Sequence, residues 1–315
     1  MYIVTGGAGF IGRNLVKALN EINIKDIIIV DSLSVPNKFK NLDGLYFSDF
    51  INYKSPSFKC DIKKLNKIKV VFHIGANADV LISNCDQFME ENFNDSKIWY
   101  EFCEERNIPL IYASSSAVYG NGKHFKVTFS NEKPHNEYAF SKLAFDKFVN
   151  SREESRKFQC VGYRFFNVFG PGEGLKGKNA SLINRFYNFA KNAGKIDLFD
   201  KEISRDYVYV KDLCEVLIHT YFDNSIRGVF NLGSGRAWSH ESISNIVVNT
   251  MRKSGLIIDE EPVIKIPMPE QLLKKFQYYT IAQDLPEHVV KFISDTENRM
   301  VEYVEFLIKE DEIES

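Results

Sequence analysis

Tyr138 and Lys142 stand four residues apart in a segment with a helical pattern, so their side chains should share one helix face. A free phenol has a pKa of about 10 and is a weak base at neutral pH. A neighbouring ammonium favours the phenolate and would lower that pKa, so the pair could supply a catalytic base. Because Y-x-x-x-K is a frequent chance pattern, this interpretation needs support from elsewhere in the chain.

A run of three serines, 114–116, gives the first support. It follows the apolar segment 109–113, which reads as a buried strand. Hydroxyls at the carboxyl end of a parallel strand point into the ligand crevice. A serine there could orient a substrate hydroxyl toward Tyr138, while Lys142 could also bind a nicotinamide ribose. Together these residues predict proton transfer coupled to hydride transfer with NAD or NADP.

The first twelve residues contain the second support, an apolar run that leads into Gly6, Gly9 and Gly12 and then into a helical pattern. A strand, a tight turn and a helix N-terminus suit a pyrophosphate, because the helix start offers free N–H groups and partial positive charge. A second apolar strand, 26–30, ends at Asp31, 19 residues after Gly12. An acid at that distance is where a dinucleotide ribose hydroxyl is held. The combination predicts a dinucleotide-binding fold.

The choice between NAD and NADP stays open on these residues alone. Lys38 and Lys54 lie in a loop that should pass near the adenosine ribose, where a lysine could bind a 2′-phosphate. Asp31 would repel that phosphate if its side chain points inward. Surface solvation is the alternative explanation for either lysine.

A further strand, 69–74, runs into a turn of small residues that could lie close to the cofactor. His73 sits inside its apolar run, so we expect a packed, hydrogen-bonded histidine there and not a ligand. Asn92 falls on the helix predicted at 88–106, where its amide could reach the cofactor. The predicted cofactor-binding residues are Gly6, Gly9, Phe10, Ile11, Gly12, Asp31, Ser32, Lys38, Ile74, Gly75, Ala76, Asn92, Tyr138, Lys142, Val168 and Lys176.

Composition narrows the class of protein. The net charge of −2 gives no electrostatic case for a nucleic-acid or anionic-membrane partner. No apolar stretch approaches the roughly 18 residues of a membrane span, and the strand-like start does not resemble a signal peptide. The five cysteines are scattered and form no C-x-x-C pair, which is typical of a reduced cytoplasmic protein. We predict no metal site.

Several motifs now carry a family resemblance. The glycine turn, the serines followed by Val118-Tyr119-Gly120, and Tyr138-x-x-x-Lys142 resemble the extended short-chain dehydrogenase/reductases, the nucleotide-sugar epimerases and dehydratases. The segments 163–171, 205–212 and 229–235 agree with that class, so the resemblance covers nearly the whole chain. It places the catalytic serine at Ser115, and it implies a nucleotide-sugar substrate and a homo-oligomer.

Within this family, segments 37–42 and 172–177 resemble the epimerases that invert C6 of an ADP-linked heptose for lipopolysaccharide core. The resemblance implies bound NADP, with Lys38 near its 2′-phosphate, and makes Lys176 a second acid/base opposite Tyr138. Inverting a carbinol through a carbonyl needs proton exchange in two substrate orientations, which one base does not serve. Burial near the cationic Lys142 would lower the pKa of Lys176. An ordinary surface lysine is the alternative.

The same resemblance assigns the sugar nucleotide to a set of residues in the second half of the chain. Asn167 would contact the sugar, Val168 the nicotinamide, and Arg205 a diphosphate, unless Arg205 forms a structural ion pair with Asp206. Where the sequence differs from those epimerases, the differing residues belong to the predicted sugar pocket more than to the predicted cofactor site. The predicted substrate-binding residues are Asn167, Lys178, Arg185, Phe199, Asp200, Arg205 and Phe276.

The expected fold is α/β, a doubly wound parallel Rossmann sheet with a smaller C-terminal substrate lobe. The NADP-binding domain should comprise 1–166, rejoined by strands near 205–236, and the lobe about 167–204 plus 237–315. Two alternatives remain for the function. One is another sugar-nucleotide epimerase, such as a UDP-hexose 4-epimerase, which needs only the serine and the tyrosine. The other is a non-catalytic NAD(P)-binding protein.

Overall fold

The computed structural model describes residues 1–78, 84–256, 260–273 and 277–314. Within them the chain forms twelve strands, numbered in chain order as β1 Tyr2–Thr5, β2 Ile27–Asp31, β3 Asp49–Asn52, β4 Val70–His73, β5 Leu110–Ser115, β6 Cys160–Phe165, β7 Asn167–Phe169, β8 Ile196–Phe199, β9 Ser204–Tyr209, β10 Gly228–Leu232, β11 Ala237–Ser239 and β12 Val263–Ile266.

The same residues form eleven α-helices, α1 Phe10–Glu21, α2 Phe58–Lys64, α3 Cys85–Phe88, α4 Asp95–Arg106, α5 Glu137–Asn150, α6 Leu182–Ala193, α7 Val210–Phe222, α8 His240–Lys253, α9 Glu270–Leu273, α10 Glu287–Val290 and α11 Thr296–Glu314. A π-helical segment, Met89–Asn94, joins α3 to α4. Short 3₁₀ turns are Lys38–Leu42, Ser116–Tyr119, Phe129–Asn131 and Gly174–Asn179.

Seven parallel strands form the main sheet, in the order β10-β6-β5-β4-β1-β2-β3. Every residue of β2 and of β4 is buried, as their unbroken apolar runs require of strands covered on both faces. One face packs against α1 and α7, and the other against α2, α4 and α5. The predicted doubly wound α/β sheet is confirmed.

The strand order reverses at β1, which leads to β2 on one side and has β4 on the other. The turns that follow β1 and β4 meet at this point. A Cβ atom on Gly6 would lie 2.7 Å from the Cα of Gly75, so only glycine permits this approach. Crevices at such reversal points, outside the carboxyl ends of the strands, are where α/β sheets bind ligands.

A second hydrophobic cluster lies outside the main sheet and is formed by α6, α8 and α11. It accompanies a three-stranded sheet, β11-β9-β7, and the pair β12-β8. The strands near 205–236 divide between the two sheets: β10 joins the main sheet as expected, whereas β9 pairs with β7 and β11. The sequence did not separate them, because both are short strands within the same stretch of chain. The domain boundaries stay a prediction.

Across the described ranges, no helix is both long enough and apolar enough to cross a bilayer. All five cysteines are free thiols. Cys103, Cys160 and Cys214 are buried in the packing around the main sheet, whereas Cys60 and Cys85 are exposed. The buried thiols therefore contribute to the core as small apolar side chains.

Candidate active site

Ser115 and Tyr138 meet in the crevice. Ser115 is the last residue of β5, and its Oγ accepts a hydrogen bond from the N–H of Ala117 at 3.2 Å. Tyr138 lies in the first turn of α5, which Asn136 caps by accepting from the N–H of Ala139 at 2.8 Å. A side-chain hydrogen bond joins the phenol to Ser115. The structure therefore brings the predicted orienting hydroxyl to the predicted base.

Lys142 is almost fully buried one turn further along α5, with 4% of its surface exposed. Burial lowers the pKa of its ammonium to about 8, although Asp146 opposes the shift. The predicted lowering of the Tyr138 pKa by Lys142 is wrong, because Lys142 is not among the groups that shift it. Burial raises the pKa of this phenol, and the hydrogen bond from Ser115 is what lowers it. Desolvation of the phenolate outweighs a single hydrogen bond here.

Asp146, which the sequence analysis missed, connects the helix of Tyr138 to the strand of Ser115. Its carboxylate accepts hydrogen bonds from the hydroxyl of Tyr112 at 3.1 Å, from Ser114 at 2.9 Å and from the guanidinium of Arg164 at 2.9 Å. Arg164 in turn pairs with Glu132 at 2.6 Å. All of these side chains are buried. The available signal was spacing, because Asp146 follows Tyr138 by two helical turns on one face.

The glycine turn forms the other end of the crevice. Gly6 has φ +67°, a left-handed conformation that favours glycine. A Cβ on Gly12 would lie 2.0 Å from the carbonyl oxygen of Gly6, so the helix can start this close to β1 only with glycine there. Gly9 is the N-cap of α1 and no side chain caps it, which leaves the first-turn amides directed at the crevice. Phe10 is buried and Ile11 is half-buried.

Asp31, Ser32 and Lys38 come together beside this turn. Asp31 is buried, and its carboxylate accepts from the N–H of Ala8 at 2.9 Å and of Ser32 at 2.6 Å. The ammonium of Lys38 pairs with it at 2.5 Å and also donates to the carbonyl of Ser32 at 3.0 Å. Lys38 therefore neutralises the acid that would otherwise repel an anion. Lys54 lies 5.9 Å from the ring of Tyr53 at the surface.

The turn after β4 is held by a chain of hydrogen bonds through His73. The N–H of Gly75 donates to the hydroxyl of Thr5 at 3.0 Å, and that hydroxyl lies 2.8 Å from Nδ1 of His73. Nε2 lies 2.8 Å from the hydroxyl of Ser96, which donates to the carbonyl of Asn92. That last donation makes Nε2 the protonated nitrogen. Burial lowers the pKa of His73 to about 3. The predicted packed histidine is confirmed.

Asn92 lies in the π-helical segment and is buried, but its amide already has partners in the protein. It exchanges hydrogen bonds with the backbone of Asn77, at 2.7 Å and 2.9 Å, and donates to the hydroxyl of Ser141 at 3.0 Å. Asn92 thus ties the turn after β4 to α5. Ile74 is half-buried and Ala76 exposed on the same turn. The direct contact of Asn92 with the cofactor stays a prediction.

Lys176 reaches the glycine turn from the second half of the chain. Its residue is exposed in the loop Gly174–Asn179, yet its ammonium lies 5.0 Å from the centroid of the Phe10 ring. Burial lowers the pKa of Lys176, as expected, and Glu173 opposes the shift. The expected contribution of Lys142 is not among the causes. The structure therefore places Lys176 beside the glycine turn after β1, the predicted cofactor turn.

Asn167 and Val168 lie on β7, and Arg205 lies on β9, the strand that pairs with β7. The amide of Asn167 on β7 donates to the carbonyl of Asp206 at 2.8 Å, and Val168 beside it is half-buried. Arg205 on β9 donates to the carbonyl of Gln277 at 2.7 Å. Asp206 accepts instead from loop residues, including the N–H groups of Ser234 and Ala282 at 2.7 Å and 2.8 Å. These bonds, not Arg205, satisfy the Asp206 carboxylate.

Arg185 and Arg205 converge on His240, a residue that the sequence analysis did not single out. Both guanidinium groups lower the pKa of His240, which falls to about 3, chiefly because of burial. The ring of His240 packs edge-on against Phe186 at 6.5 Å. Two cations therefore face the same part of the lobe, which suits an anionic substrate group.

Within the described residues, the structure does not bring the remaining predicted substrate-binding residues together. Lys178 is exposed in the Lys176 loop. Phe199 ends β8 half-buried, and Asp200 after it is exposed and lies 3.8 Å from Lys201. Phe276 lies outside the described residues.

A sequence model of the NAD dependent epimerase/dehydratase family matches residues 2–233. The chain belongs to this family. A protein named ADP-L-glycero-D-manno-heptose-6-epimerase, from Brachyspira hyodysenteriae, is 36% identical over 290 residues, which are 90% of this chain and 89% of that protein.

Two solved structures are also similar to this chain. The ADP-L-glycero-D-manno-heptose-6-epimerase of Helicobacter pylori superposes with a TM-score of 0.83 at 29% identity, covering 97% of this chain and 95% of that one. A UDP-N-acetylglucosamine 4-epimerase from Methanobrevibacter ruminantium gives a TM-score of 0.81 at 26% identity, covering 98% of both chains.

Membership of the family implies a nicotinamide cofactor, and the residues fit one. The uncapped start of α1 and the glycine contacts at Gly6 and Gly12 provide a cradle for phosphate groups. Asp31 would hold the adenosine ribose of such a cofactor, and Lys142 would lie at its nicotinamide end.

Proposed function

We propose that the chain is an NADP-dependent isomerase that converts ADP-D-glycero-D-manno-heptose to ADP-L-glycero-D-manno-heptose. The observation that carries this proposal is the position of the Lys176 ammonium, 5.0 Å from the ring of Phe10, after β1 and at the same edge of the parallel sheet as Ser115 at the end of β5. A second base there is what inversion at C6 through two substrate orientations requires. The name of the relative from Brachyspira hyodysenteriae supports the same substrate.

The chemistry is an oxidation followed by a reduction at the same carbon. Bound NADP supplies a hydride acceptor that returns the hydride in the second half of the cycle. Ser115 would orient the C6 hydroxyl. The proton of that hydroxyl would pass to Tyr138 in one substrate orientation or to Lys176 in the other. In the first half C6 would give up its hydrogen as hydride and its hydroxyl would give up a proton. In the second half C6 would regain hydride on its opposite face, and the carbonyl oxygen would regain a proton.

Charge at the adenosine end supports NADP over NAD. The ammonium of Lys38 lies 2.5 Å from the carboxylate of Asp31, so the pair presents no net charge to a 2′-phosphate. Lys38 is one-fifth exposed and its flexible stem can turn toward that phosphate. Asp31 then keeps its amide hydrogen bonds from Ala8 and Ser32.

A UDP-hexose 4-epimerase is the second candidate, favoured by the likeness to a 4-epimerase structure at 26% identity. It needs Ser115 and Tyr138 but not Lys176. The purified protein should therefore be offered ADP-D-glycero-D-manno-heptose and UDP-glucose separately, with the product configuration read by NMR. Inversion at C6 of the heptose alone supports the proposal, whereas inversion at C4 of the hexose alone overturns it.

Two further inferences rest on the sequence. We infer a cytoplasmic location from the scattered, unpaired cysteines, and a homo-oligomer from the family resemblance. Sedimentation equilibrium would give the number of subunits, and a single-subunit mass at micromolar concentration would contradict the second inference.

A further inference from the structure

The loop that carries Lys176 has little packing of its own. A Cβ on Gly174 or on Gly177 would meet nothing within 4 Å, and Gly177 adopts φ +50°. Residues 174–179 are all exposed. A glycine-rich loop of this kind has many conformations open to it, so the position of Lys176 over Phe10 must be imposed at the base of the loop.

Glu173 is the group at that base. It is completely buried, and its carboxylate accepts from both ends of the loop. On the far side, the N–H and the hydroxyl of Ser181 each donate to it at 2.6 Å. On the near side, the N–H of Gly170 points at it from 3.5 Å. One carboxylate thus closes a loop of about ten residues.

The backbone of Glu173 also helps to hold the loop in place. Its carbonyl accepts the N–H of Lys176 at 2.9 Å, which fixes the turn that aims the lysine. The neighbouring residues touch α1, the helix that Phe10 begins. Asn14 donates to the carbonyl of Pro171 at 2.8 Å, and Arg13 lies over Gly172. The base of the loop is therefore bound to the cofactor turn as well.

The charged and titratable groups around Glu173 come from each element packed on it. Lys176 belongs to its own loop, Tyr207 to β9 and Tyr303 to α11. The hydroxyl of Tyr303 hydrogen-bonds the carboxylate and also accepts from Asn184 of α6 at 3.0 Å. Burial raises the pKa of Glu173, and the nearby Lys176 ammonium opposes that effect. Within the described part of the chain, Lys176 is the cation among these neighbours, so the carboxylate attracts it.

We propose that Glu173 is a positioning residue that acts through Lys176, by closing the base of the glycine-rich loop and holding the lysine over the cofactor turn. This inference rests on the proposed role of Lys176 in cofactor binding and catalysis. It adds a second residue whose loss should imitate the loss of the lysine, although Glu173 itself touches neither cofactor nor substrate.

The test uses a double-mutant cycle on NADPH binding to the nucleotide-free protein, followed by fluorescence. Lys176→Met should weaken binding roughly tenfold, because one charge-assisted contact is lost. Glu173→Gln should weaken it by a similar factor, and the double variant should bind no more weakly than Lys176→Met. Glu305→Gln, an exposed carboxylate on α11, is the matched control and should bind as the wild type does.

Limited trypsin digestion supplies a readout that needs neither cofactor nor substrate. Lys176 and Lys178 are cleavage sites within the loop, and Glu173→Gln should speed cleavage there roughly tenfold. Glu173→Asp keeps the charge but shortens the reach to Ser181, so it should also speed cleavage. If Glu173→Gln does not fold, the cleavage rate of Glu173→Asp tests the inference instead.

Unchanged loop cleavage and unchanged NADPH affinity in a folded Glu173 variant would overturn the inference, and so would additive losses in the double variant. These outcomes are separate from the failure of the proposed function. A wild-type protein that binds NADPH but leaves the heptose unchanged would overturn the substrate and leave the Glu173 result intact.

Discussion

Asp146 lies one helical turn beyond Lys142 and raises the pKa of that ammonium against the effect of burial. The same carboxylate accepts from Ser114 at 2.9 Å, the residue before Ser115. Asp146 therefore sets both the charge of the lysine and the register between the helix of Tyr138 and the strand of Ser115. It does so with a partner, because Arg164 binds it from β6 at 2.9 Å.

Replacing Asp146 by Asn should destabilise the fold strongly. The change leaves the buried Arg164 with Glu132 alone, and removing one member of a buried ion pair costs about 3–5 kcal/mol. Urea unfolding monitored by circular dichroism would measure it. Glu305→Gln is the control for an exposed carboxylate and should change the free energy of unfolding by less than about 0.5 kcal/mol. A loss no larger than that control in Asp146→Asn would contradict the role of this pair.

Lys142 should make stability depend on pH in the alkaline range. Its pKa is about 8 in the fold and 10.5 when the chain is unfolded, so between these values the unfolded state binds more protons. The lysine penalises the fold below pH 8, and the penalty disappears as pH rises toward 10.5. Comparing wild type with Lys142→Met isolates this group from the tyrosines. From pH 7 to 9.5 the difference should move in favour of the wild type by about 2 kcal/mol. A difference that does not change with pH would mean that the lysine has its ordinary pKa.

Lys38 should decide the preference between the two nicotinamide dinucleotides. Lys38→Met removes the cation paired with Asp31, so NADPH affinity should fall at least roughly tenfold while NADH affinity changes little. Asp31→Asn should act in the opposite direction, because it removes the negative charge that faces a 2′-phosphate. Fluorescence titrations with both reduced nucleotides would measure this. Equal losses for NADPH and NADH in Lys38→Met would show that Lys38 does not recognise the 2′-phosphate.

The two proposed bases should fail separately and complement each other. Tyr138→Phe and Lys176→Met should each lose epimerisation, because each removes proton exchange for one orientation of the substrate. Mixed together, the two variants should regain dismutation of an aldehyde analogue, which needs one oxidising and one reducing orientation. Product analysis by NMR would follow it. Full epimerase activity in Lys176→Met would remove this lysine from the mechanism.

Much of the site could be predicted from the spacing of residues in the sequence. The four-residue interval between Tyr138 and Lys142 holds in any helix, and the glycine turn needs only β1, α1 and their close approach. His73 was predictable because an apolar run around an imidazole leaves it few partners other than neighbouring side chains. These features depend on residues close in sequence or on a single strand–turn–helix unit.

The remainder depends on contacts between distant segments. Asp146 gains its role only when β5 and β6 bring Ser114 and Arg164 to it, and Glu173 only when the loop returns to Ser181. The contribution of Lys142 to the lowered Lys176 pKa was wrongly predicted for the same reason, since the sequence does not show that the ammonium lies over the ring of Phe10. Desolvation at Tyr138 likewise depends on packing around the crevice, including the edge-on ring of Phe88 at 6.2 Å.

The configuration at C6 of the substrate is the most direct test of the proposed function. The purified protein, loaded with NADP, would be incubated with ADP-D-glycero-D-manno-heptose and followed by NMR at C6, beside Tyr138→Phe as an inactive control. We expect the wild type to reach an equilibrium mixture of the two C6 epimers and the variant to leave the substrate unchanged. A folded, NADP-loaded wild type that leaves C6 in its original configuration would contradict the assignment.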